Sequence, residues 1–477
     1  MTLIAIIGAG PAGLAAAQSA LEHDAEVVLI DLNDRPGGQY QRELPEAYHS
    51  THPEAVQHEW KNFSRRRDAV LGHQNCRWMA NTVVYLVERR AGAAPTLHLI
   101  TGEIDGHDRT RTAVHPDAVV IATGAHDRVV PFPGWTLPGV YTAGAAQTLA
   151  RTERVALGRR AVVSGTGPFL LPVATSLSQV STEVTAVLEA NRPATLARGW
   201  MARPWELLAQ SGKTGDLVHY AGHLARHRIP LRTGRAVIAA LGDDRVEAAV
   251  VARLDSNWSP IAGTETTVEV DTICVGHGFT PALEIARAAG CEFETTSAGV
   301  FVRTDEHQET SAPHVFAAGE ITGIGGAQAA AVEGQIAGLA AAGVATAITP
   351  ALGRKRRAAR QFVQRLATAH PLRDGWHQWL RSDTVVCRCE STTLGDLCAQ
   401  HSAGNSLRAT KLNTRAGLGP CQGRFCGDNV AGICASRPAD NDLTDVMGLA
   451  GAHRQNRPMA QPVRLGEIAA AENGGHR

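Results

Sequence analysis

Two pairs of cysteines in the last quarter of the chain have the side chains and spacing for metal or redox chemistry. Cys387 and Cys389 form a C-x-C pair, and after a gap of 31 residues Cys421 and Cys426 form a second pair. Four thiolates can supply four metal bonds, and thiolates suit iron–sulfur clusters or zinc. The pattern favours a [2Fe-2S] cluster, because a zinc ribbon typically uses CxxC knuckles. Zinc remains the alternative.

The surroundings of the second pair also favour a redox cluster. Four glycines between Gly417 and Gly427 leave backbone N–H groups free to donate to sulfur, which tunes a cluster's reduction potential. Cys398 and Cys434 lie outside the pairs and are predicted to be small buried residues. The sequence contains no CxxC pair, which argues against a disulfide relay.

The first thirty residues contain a constellation suited to a dinucleotide. The loop Gly8-Ala-Gly10-Pro11-Ala12-Gly13 follows an apolar strand predicted at 3–7 and opens an alanine-rich helix, and the next strand ends in Asp31. Gly8 permits the tight turn, Gly10 lets the backbone approach a pyrophosphate, and Gly13 lets the helix pack close to the strand. The helix N-terminus can hold the phosphates and Asp31 the adenosine ribose. This order predicts an FAD site.

Three later segments are predicted to contact the same cofactor, although each would be an ordinary turn if it stood alone. Gly38 and Gln39 follow the strand that ends in Asp31, and Thr123 with Gly124 ends another buried strand. Gly319, Glu320 and Gly326 flank the start of a second alanine-rich helix, where Glu320 could bind the ribityl hydroxyls of a flavin.

A second nucleotide-type unit begins near residue 160. Its loop contains Gly165 and Gly167, and its second strand ends in Glu189, which would favour NAD over NADP. Leu170 stands where the third glycine belongs, so we expect the helix to move away from the strand and the phosphate cradle to weaken. A working nucleotide site and a structural relic both remain open.

The elements that position these residues predict an α/β protein. Two Rossmann-like dinucleotide-binding domains, one inserted in the other, would precede a small helical C-terminal [2Fe-2S] domain. The predicted boundaries are 1–150 for the first part of the FAD domain, 151–278 for the NAD(P)-like domain, 279–348 for the second part of the FAD domain, 349–380 for a linker helix, 381–450 for the [2Fe-2S] domain and 451–477 for a tail.

Composition excludes several classes of protein. The 477 residues include 46 lysines and arginines and 46 aspartates and glutamates, so nothing points to a nucleic-acid partner. No apolar run is long enough to span a bilayer, and the opening run at 3–7 is too short for a signal peptide. We expect a cytoplasmic protein, with peripheral association to the inner membrane if it reduces a quinone.

These motifs together resemble a known family. The glycine loops, Ala122-Thr-Gly124 and Phe316-Ala-Ala-Gly319-Glu320 resemble flavin oxidoreductases with two dinucleotide folds. The two cysteine pairs and Thr414-Arg-Ala-Gly417 resemble the [2Fe-2S] domain related to bacterioferritin-associated ferredoxin. The combination is similar to the A subunits of opine oxidases, the B subunits of hydrogen cyanide synthase and the α subunits of multi-subunit proline, hydroxyproline and sarcosine dehydrogenases.

The resemblance implies a division of labour between chains. In this family a separate FAD-containing, amino-acid-oxidase-like β subunit oxidises the C–N bond of an amino or imino acid, and the A-type subunit carries the electrons away. Some relatives place FMN between subunits, some hold NAD or another adenine nucleotide in the second fold, and a small third subunit can occur. Two features depart from the wider pattern: four residues separate Cys421 from Cys426 where the small ferredoxins have two, and Glu320 replaces an aspartate.

The sequence therefore predicts an electron-transfer subunit, with a quinone or similar acceptor. We assign no catalytic residue, since His126 is the only candidate acid or base near the flavin motifs and a structural role is the simpler interpretation. One alternative is a self-sufficient NAD(P)H-dependent flavin and iron–sulfur oxidoreductase. Another is a redox sensor or zinc-bound scaffold without enzymatic activity.

Overall fold

The structure is a computed structural model that describes residues 1–48, 52–55, 57, 59–202, 211–402, 406–436 and 459–469. The chain forms two compact units. The first comprises Met1–His126, Thr280–Gln364 and Gln455–Arg477, and the second comprises Asp127–Phe279 and Arg365–Arg454.

The described strands are, in chain order, β1 Leu3–Ile7, β2 Glu26–Ile30, β3 Cys76–Met79, β4 Thr82–Arg90, β5 Ala93–Thr101, β6 Thr110–Val114, β7 Ala118–Ile121, β8 Ala125–Asp127, β9 Val140–Thr142, β10 Arg160–Gly165, β11 Glu183–Glu189, β12 Leu231–Thr233, β13 Arg235–Leu241, β14 Ala248–Arg253, β15 Thr266–Glu269, β16 Thr272–Gly276, β17 Phe279–Pro281, β18 Phe293–Thr296, β19 Gly299–Val302, β20 Val315–Ala317, β21 Val385–Cys387 and β22 Thr392–Thr393.

The described α-helices are α1 Pro11–Leu21, α2 Trp60–Leu71, α3 Ala143–Gln147, α4 Leu170–Ser178, α5 Pro193–Met201, α6 Ser211–Arg226, α7 Glu284–Ala289, α8 Ala327–Ala341, α9 Pro350–Ala369, α10 Leu394–Ser402, α11 Leu407–Thr414, α12 Gly427–Ser436 and α13 Leu465–Ala469.

The first unit is built on a five-stranded parallel sheet with the order β20-β7-β1-β2-β3. Strand β1 reads as a continuous apolar run because both faces of the sheet are covered. Ile4 and Ile6 belong to one hydrophobic cluster, and Ala5 and Ile7 to another on the opposite face. A three-stranded antiparallel sheet, β4-β5-β6, adds to this unit.

Helices α1 and α8 pack closely within the first unit because two glycines of α8 lie against the backbone of α1. Cβ atoms built on Gly334 and Gly338 of α8 would stand 2.0 and 2.2 Å from the carbonyl oxygens of Ala12 and Ala16 of α1. Only glycine permits so close an approach of the two backbones. Helix α8 thus fixes the position of the helix that follows the first glycine loop.

The second unit repeats the architecture with the parallel order β12-β11-β10-β16-β9 and an antiparallel sheet, β13-β14-β15. The strand order reverses at β10, since β11 lies on one side of it and β16 on the other. The two parallel sheets confirm the prediction of an α/β protein with two Rossmann-like domains.

The cysteine-bearing segment packs on the second fold within the same unit. Val386, Cys387 and Val430 share one hydrophobic cluster with Val162 and Leu188 of the sheet. Two hydrogen bonds add to this packing, from Trp135 Nε1 to the Val385 carbonyl (2.6 Å) and from Asn429 Nδ2 to the Val129 carbonyl (2.7 Å). Over the residues that the structure describes, no helix is both long and apolar enough to cross a membrane.

Candidate functional site

The first glycine loop has the geometry of a phosphate cradle. Gly8 has a φ of +104°, and a Cβ built on Gly13 would stand 1.7 Å from the Gly8 carbonyl oxygen. Gly10 is the N-cap of α1, whose first residue is Pro11, and no side chain from the described part of the chain caps this helix. The N–H groups of the first turn are therefore available to an anion.

Asp31 is held beside this loop by three hydrogen bonds. Its Oδ2 accepts from the Ala9 N–H (2.6 Å), and its Oδ1 accepts from the backbone N–H and the side-chain amide of Asn33 (2.8 Å each). The side chain is buried at the end of β2. A carboxylate fixed in this way is ready to accept from a ribose hydroxyl.

Two other predicted segments lie at the same edge of the sheet. A Cβ built on Gly38 would stand 3.0 Å from the Gly10 Cα, so the two loops are in contact. Gln39 is exposed, and its Oε1 accepts from Arg42. Thr123 donates its hydroxyl to the Ala282 carbonyl (2.7 Å), and Ala282 N–H donates to the Gly124 carbonyl (2.9 Å). These bonds join β7 to the returning chain of the first unit.

The residues around Gly319 support the start of α8. Glu320 Oε1 accepts from the N–H groups of Gly326 (2.7 Å) and Gly325 (3.3 Å), so this carboxylate holds the glycine turn that leads into the helix. Gly319 N–H donates to the buried carboxylate of Glu333 (3.0 Å), and burial raises the pKa of Glu333. The predicted contact of Glu320 with ribityl hydroxyls remains a prediction.

The second glycine loop differs from the first in where its helix begins. Helix α1 begins three residues after Gly8, whereas α4 begins at Leu170, five residues after Gly165. Leu170 is 2 % exposed and packs in the core of the second fold. The leucine therefore displaces the start of the helix along the chain. The loop N–H groups of Thr166 and Gly167 already donate to the Gly276 carbonyl and to Glu189.

Glu189 repeats the bonding pattern of Asp31 and then adds one partner. Its Oε2 accepts from the Gly167 N–H (2.8 Å), and its Oε1 accepts from the backbone N–H (2.8 Å) and the side chain (3.2 Å) of Asn191. The additional partner is His370, whose Nδ1 lies 3.1 Å from Oε2. The repeated acid-x-Asn pattern is visible in the sequence and could have pointed to both asparagines.

The segment that carries His370 is firmly seated on the second fold. The Pro371 carbonyl accepts from Asn191 Nδ2 (3.2 Å), and Trp200 Nε1 donates to His370 Nε2 (3.1 Å). Arg365 donates to the Trp200 carbonyl (2.6 Å). His370 thus bonds with the carboxylate that the sequence predicts as the acceptor for an adenosine ribose.

The carboxyl edge of the second sheet also holds polar groups without partners. His277, directly after β16, is 3 % exposed, and neither ring nitrogen has a hydrogen-bond partner among the described residues. The Nε of the half-buried Arg128 is likewise unpartnered in the described part of the chain. Each unpaired buried polar group costs about 1–3 kcal/mol. Burial, and then the charge of Arg128, lower the pKa of His277 to about 4, although Glu189 opposes the shift.

The four predicted ligand cysteines come together. Hydrogen bonds from Cys426 lower the pKa values of Cys387 and Cys421, while Cys421 also bonds with Cys389. Cys389 is the exposed member of the set, and burial raises its pKa. No three His, Cys, Asp or Glu side chains within the described ranges have the arrangement that holds a single metal ion.

Backbone N–H groups surround these sulfurs. The Gly417 N–H donates to Cys387 Sγ (3.5 Å), and the N–H groups of Gly423 and Phe425 donate to Cys421. A Cβ built on Gly419 would stand 2.5 Å from the Cβ of Cys389, so the loop backbone passes close to this cysteine. Four thiols with backbone donors have the chemistry of an iron–sulfur ligand set. Cys398 and Cys434 remain apart from it, and burial raises the pKa of Cys434 to about 11.

Two nucleotide-type folds, the first with an open phosphate cradle and a fixed carboxylate, define the class of flavin oxidoreductases with two dinucleotide folds. The model of the pyridine nucleotide-disulphide oxidoreductase family matches residues 2–334. The chain belongs to this family, whose fold implies a bound FAD. It is therefore an oxidoreductase of the flavin-dependent type.

Alignments with similar proteins cover nearly the whole chain. The hydrogen cyanide synthase subunit HcnB of Pseudomonas aeruginosa is 32 % identical, and the alignment covers 91 % of each chain. The A subunit of opine oxidase from Agrobacterium tumefaciens is 31 % identical, over 97 % of this chain and 90 % of its own. These matches confirm the resemblance predicted from the motifs.

The same fold occurs in a solved structure. L-proline dehydrogenase from P. horikoshii superposes with a TM-score of 0.63 at 19 % identity, over 98 % of this chain and 79 % of its own. The described structure therefore has a known architecture.

Proposed function

We propose that the chain is the FAD- and [2Fe-2S]-containing electron-transfer subunit of a multi-subunit dehydrogenase or oxidase. The donor would be an amino or imino acid of the opine, hydroxyproline, proline, sarcosine or glycine type, oxidised at its C–N bond on an FAD-dependent β subunit. The observation that carries the proposal is the convergence of Cys387, Cys389, Cys421 and Cys426, with backbone donors to three of their sulfurs, beside a nucleotide-type fold.

The residues of this chain would hold the redox groups and leave substrate chemistry to the partner. When bound, FAD supplies two-electron chemistry and a [2Fe-2S] cluster one-electron chemistry. The first glycine loop and Asp31 would hold the pyrophosphate and ribose, with Gly38, Thr123 and Gly124 close by. The four cysteines would hold the cluster, and the N–H groups on Cys387 and Cys421 would stabilise charge on their sulfurs.

The names of the relatives support a complex with other chains. The similar proteins include subunits of hydrogen cyanide synthase, of opine oxidase and, at 27 % identity over 72 % of this chain, the α subunit of a sarcosine oxidase from Corynebacterium. We infer that the partner is an amino-acid-oxidase-like β subunit, with a small third subunit in some assemblies and a quinone or similar final acceptor. FMN at the subunit interface belongs to the same proposal. The complex would be cytoplasmic, with peripheral contact to the inner membrane.

The contact between His370 and Glu189 argues against the alternative of a self-sufficient NAD(P)H-dependent oxidoreductase. An enzyme reduced by NADH needs the second fold for that cofactor, and His370 already bonds with the carboxylate that would receive its ribose. The spacing of the cysteine pairs and the backbone donors to sulfur argue against the other alternative, a zinc-bound scaffold.

The test is a comparison of the purified chain with and without a co-expressed FAD-dependent partner of the amino-acid oxidase type. We expect the chain alone to contain FAD, iron and sulfide, and to give an electron paramagnetic resonance signal after dithionite reduction. It should oxidise opines, proline or sarcosine only when the partner is present. Stoichiometric zinc without the signal, rapid flavin reduction by NADH, or full substrate oxidation by the isolated chain would contradict the proposal.

A further inference from the structure

The carboxyl edge of the second sheet has the position expected of a ligand site. Strand order reverses between β10 and β16, and ligands of open α/β sheets bind beyond the carboxyl ends of the strands at such a reversal. The loop of Gly165 and Gly167 follows β10, and His277 follows β16. The two strands are hydrogen-bonded neighbours, since Gly165 pairs with Gly276.

Open space lies beside this edge. Cβ atoms built on Gly167 and on Gly278 would meet no described atom within 4 Å. Gly278 directly follows His277, and its carbonyl accepts from the backbone N–H of Arg128 (3.0 Å). Arg128 therefore lies at the same edge of the sheet as His277. These two glycines therefore have free space beside them at the sheet edge where the fold would place a ligand.

Two polar side chains at this edge, His277 and Arg128, have nitrogen atoms without a hydrogen-bond partner among the described residues. Both ring nitrogens of the buried His277 and the Nε of Arg128 lack partners among the described residues, and no described carboxylate forms an ion pair with Arg128. The carboxylate of Glu189, which acts on His277, is already bonded with Gly167, Asn191 and His370. The Nε–H of Arg128 and the one N–H of the uncharged His277 ring thus match a ligand that brings its own oxygen acceptors and negative charge.

The size of this ligand follows from the carboxylate of Glu189 at the same edge of the sheet. A dinucleotide would need Glu189 for its adenosine ribose, and His370 holds that carboxylate. The aromatic rings of Trp258 and Trp379, each with its centroid 6.2 Å from that of His277, further enclose the histidine. These contacts favour a small ligand over a dinucleotide.

We propose that the second dinucleotide fold binds a compact oxyanion, a carboxylate or a phosphate, between Arg128 and His277. The guanidinium supplies the positive charge and the imidazole supplies a hydrogen bond. This inference is independent of the proposed function, since it concerns binding to the second fold alone.

Isothermal titration of the FAD-loaded full chain with sodium phosphate and, separately, with sodium acetate at constant ionic strength tests the site. We expect saturable one-site binding, and the anion that gives heat shows which oxyanion class is preferred. R128Q should weaken binding roughly tenfold or more, because a charge-assisted hydrogen bond is lost. The exposed Arg245 lies in the same unit, and R245Q should bind like the wild type.

Two further measurements keep the outcome decisive if R128Q fails to fold. H277Q should also weaken binding, and anion binding to the wild type should change tryptophan emission because Trp258 and Trp379 flank the histidine. NAD⁺ at the same concentration should give no heat. Absence of heat with both anions in the wild type, or equal affinity in wild type, R128Q and H277Q, would overturn the proposal.

Discussion

His370 Nδ1 lies 3.1 Å from Glu189 Oε2, although 181 positions separate the two residues along the chain. Both side chains are nearly buried, at 12 % and 6 % exposure. The corresponding carboxylate of the first fold, Asp31, bonds only with Ala9 and Asn33 among the described residues. One histidine therefore distinguishes two otherwise equivalent acceptor sites.

Replacement of this histidine should reopen the second acceptor. H370A removes a hydrogen bond to a buried carboxylate, so we expect the free energy of unfolding to fall by about 1.5–3 kcal/mol. The freed Glu189 should then bind ADP-ribose, which equilibrium dialysis measures in the cold to keep the variant folded. The exposed His107 provides the control, because H107A should change neither quantity. Equal ADP-ribose affinity in wild type and H370A would show that His370 does not close the site.

Substitution of one cluster cysteine should abolish the iron signal. C421S removes a ligand from the proposed set, so the electron paramagnetic resonance signal of the dithionite-reduced chain should disappear and iron content should fall to near zero. Cys434 is buried in the same unit but lies outside the set, so C434A should retain the signal. A signal that survives in C421S, or that vanishes in both variants, would contradict the assignment.

A single methyl group in the first loop should prevent FAD retention. In G13A the new Cβ would stand 1.7 Å from the Gly8 carbonyl oxygen, so loop and helix must separate. We expect a destabilisation of about 1–3 kcal/mol and at least roughly tenfold less bound FAD, measured by absorbance at equal protein concentration. Gly222 is a matched control, because a Cβ there meets nothing within 4 Å and G222A should gain roughly 0.5–1 kcal/mol in α6. Normal FAD content in G13A would disprove the role of the loop.

His277 should make the stability of the chain depend on pH. Its pKa is lowered from 6.5 to about 4 in the folded state, so between these values the unfolded chain binds a proton that the folded chain does not. Stability from this residue is fully present above about pH 6.5 and falls as the pH drops towards 4. At about 1.36 kcal/mol per pKa unit, the loss amounts to roughly 3 kcal/mol.

Urea unfolding from pH 7.5 to 4 checks this expectation. The free energy of unfolding should fall more steeply for the wild type than for H277Q as the pH drops from about 7 to 4. Above about pH 7 the two proteins should show the same pH dependence. The exposed His107 provides the control, and H107Q should follow the wild type. Parallel curves for wild type and H277Q would show that the histidine titrates normally in the folded protein.

The local motifs were predictable because their chemistry lies within short stretches of sequence. The spacing of Gly8, Gly10 and Gly13 and the acid at Asp31 predicted the first βαβ unit, and the structure confirms it. The pairing of the glycine-bearing α8 with α1 was not predicted, because small residues on a helix do not indicate which other helix packs against them. The strand order of each sheet was not predicted either, because it depends on pairing between strands that are distant in sequence.

The contacts of the site residues that the motifs did not predict are mostly made by residues distant in sequence. Glu189 suggested a ribose acceptor, and nothing near it in the sequence indicated that His370 would bond with it. Arg128 and His277 look ordinary in the sequence, and only the fold places them at one sheet edge. Glu320 read as a ligand for a flavin, and its contacts with Gly325 and Gly326 became visible only with the helix in place.

The packing of α8 against α1 has a consequence for biosynthesis. Gly334 and Gly338 leave the ribosome long after Ala12 and Ala16, and at typical elongation rates the delay is on the order of tens of seconds. The second sheet, β9 to β16, is complete in the nascent chain before α8 exists. We expect flavin to be incorporated late, after synthesis has passed Gly338, so a ribosome stalled before that point should carry a chain without stably bound FAD.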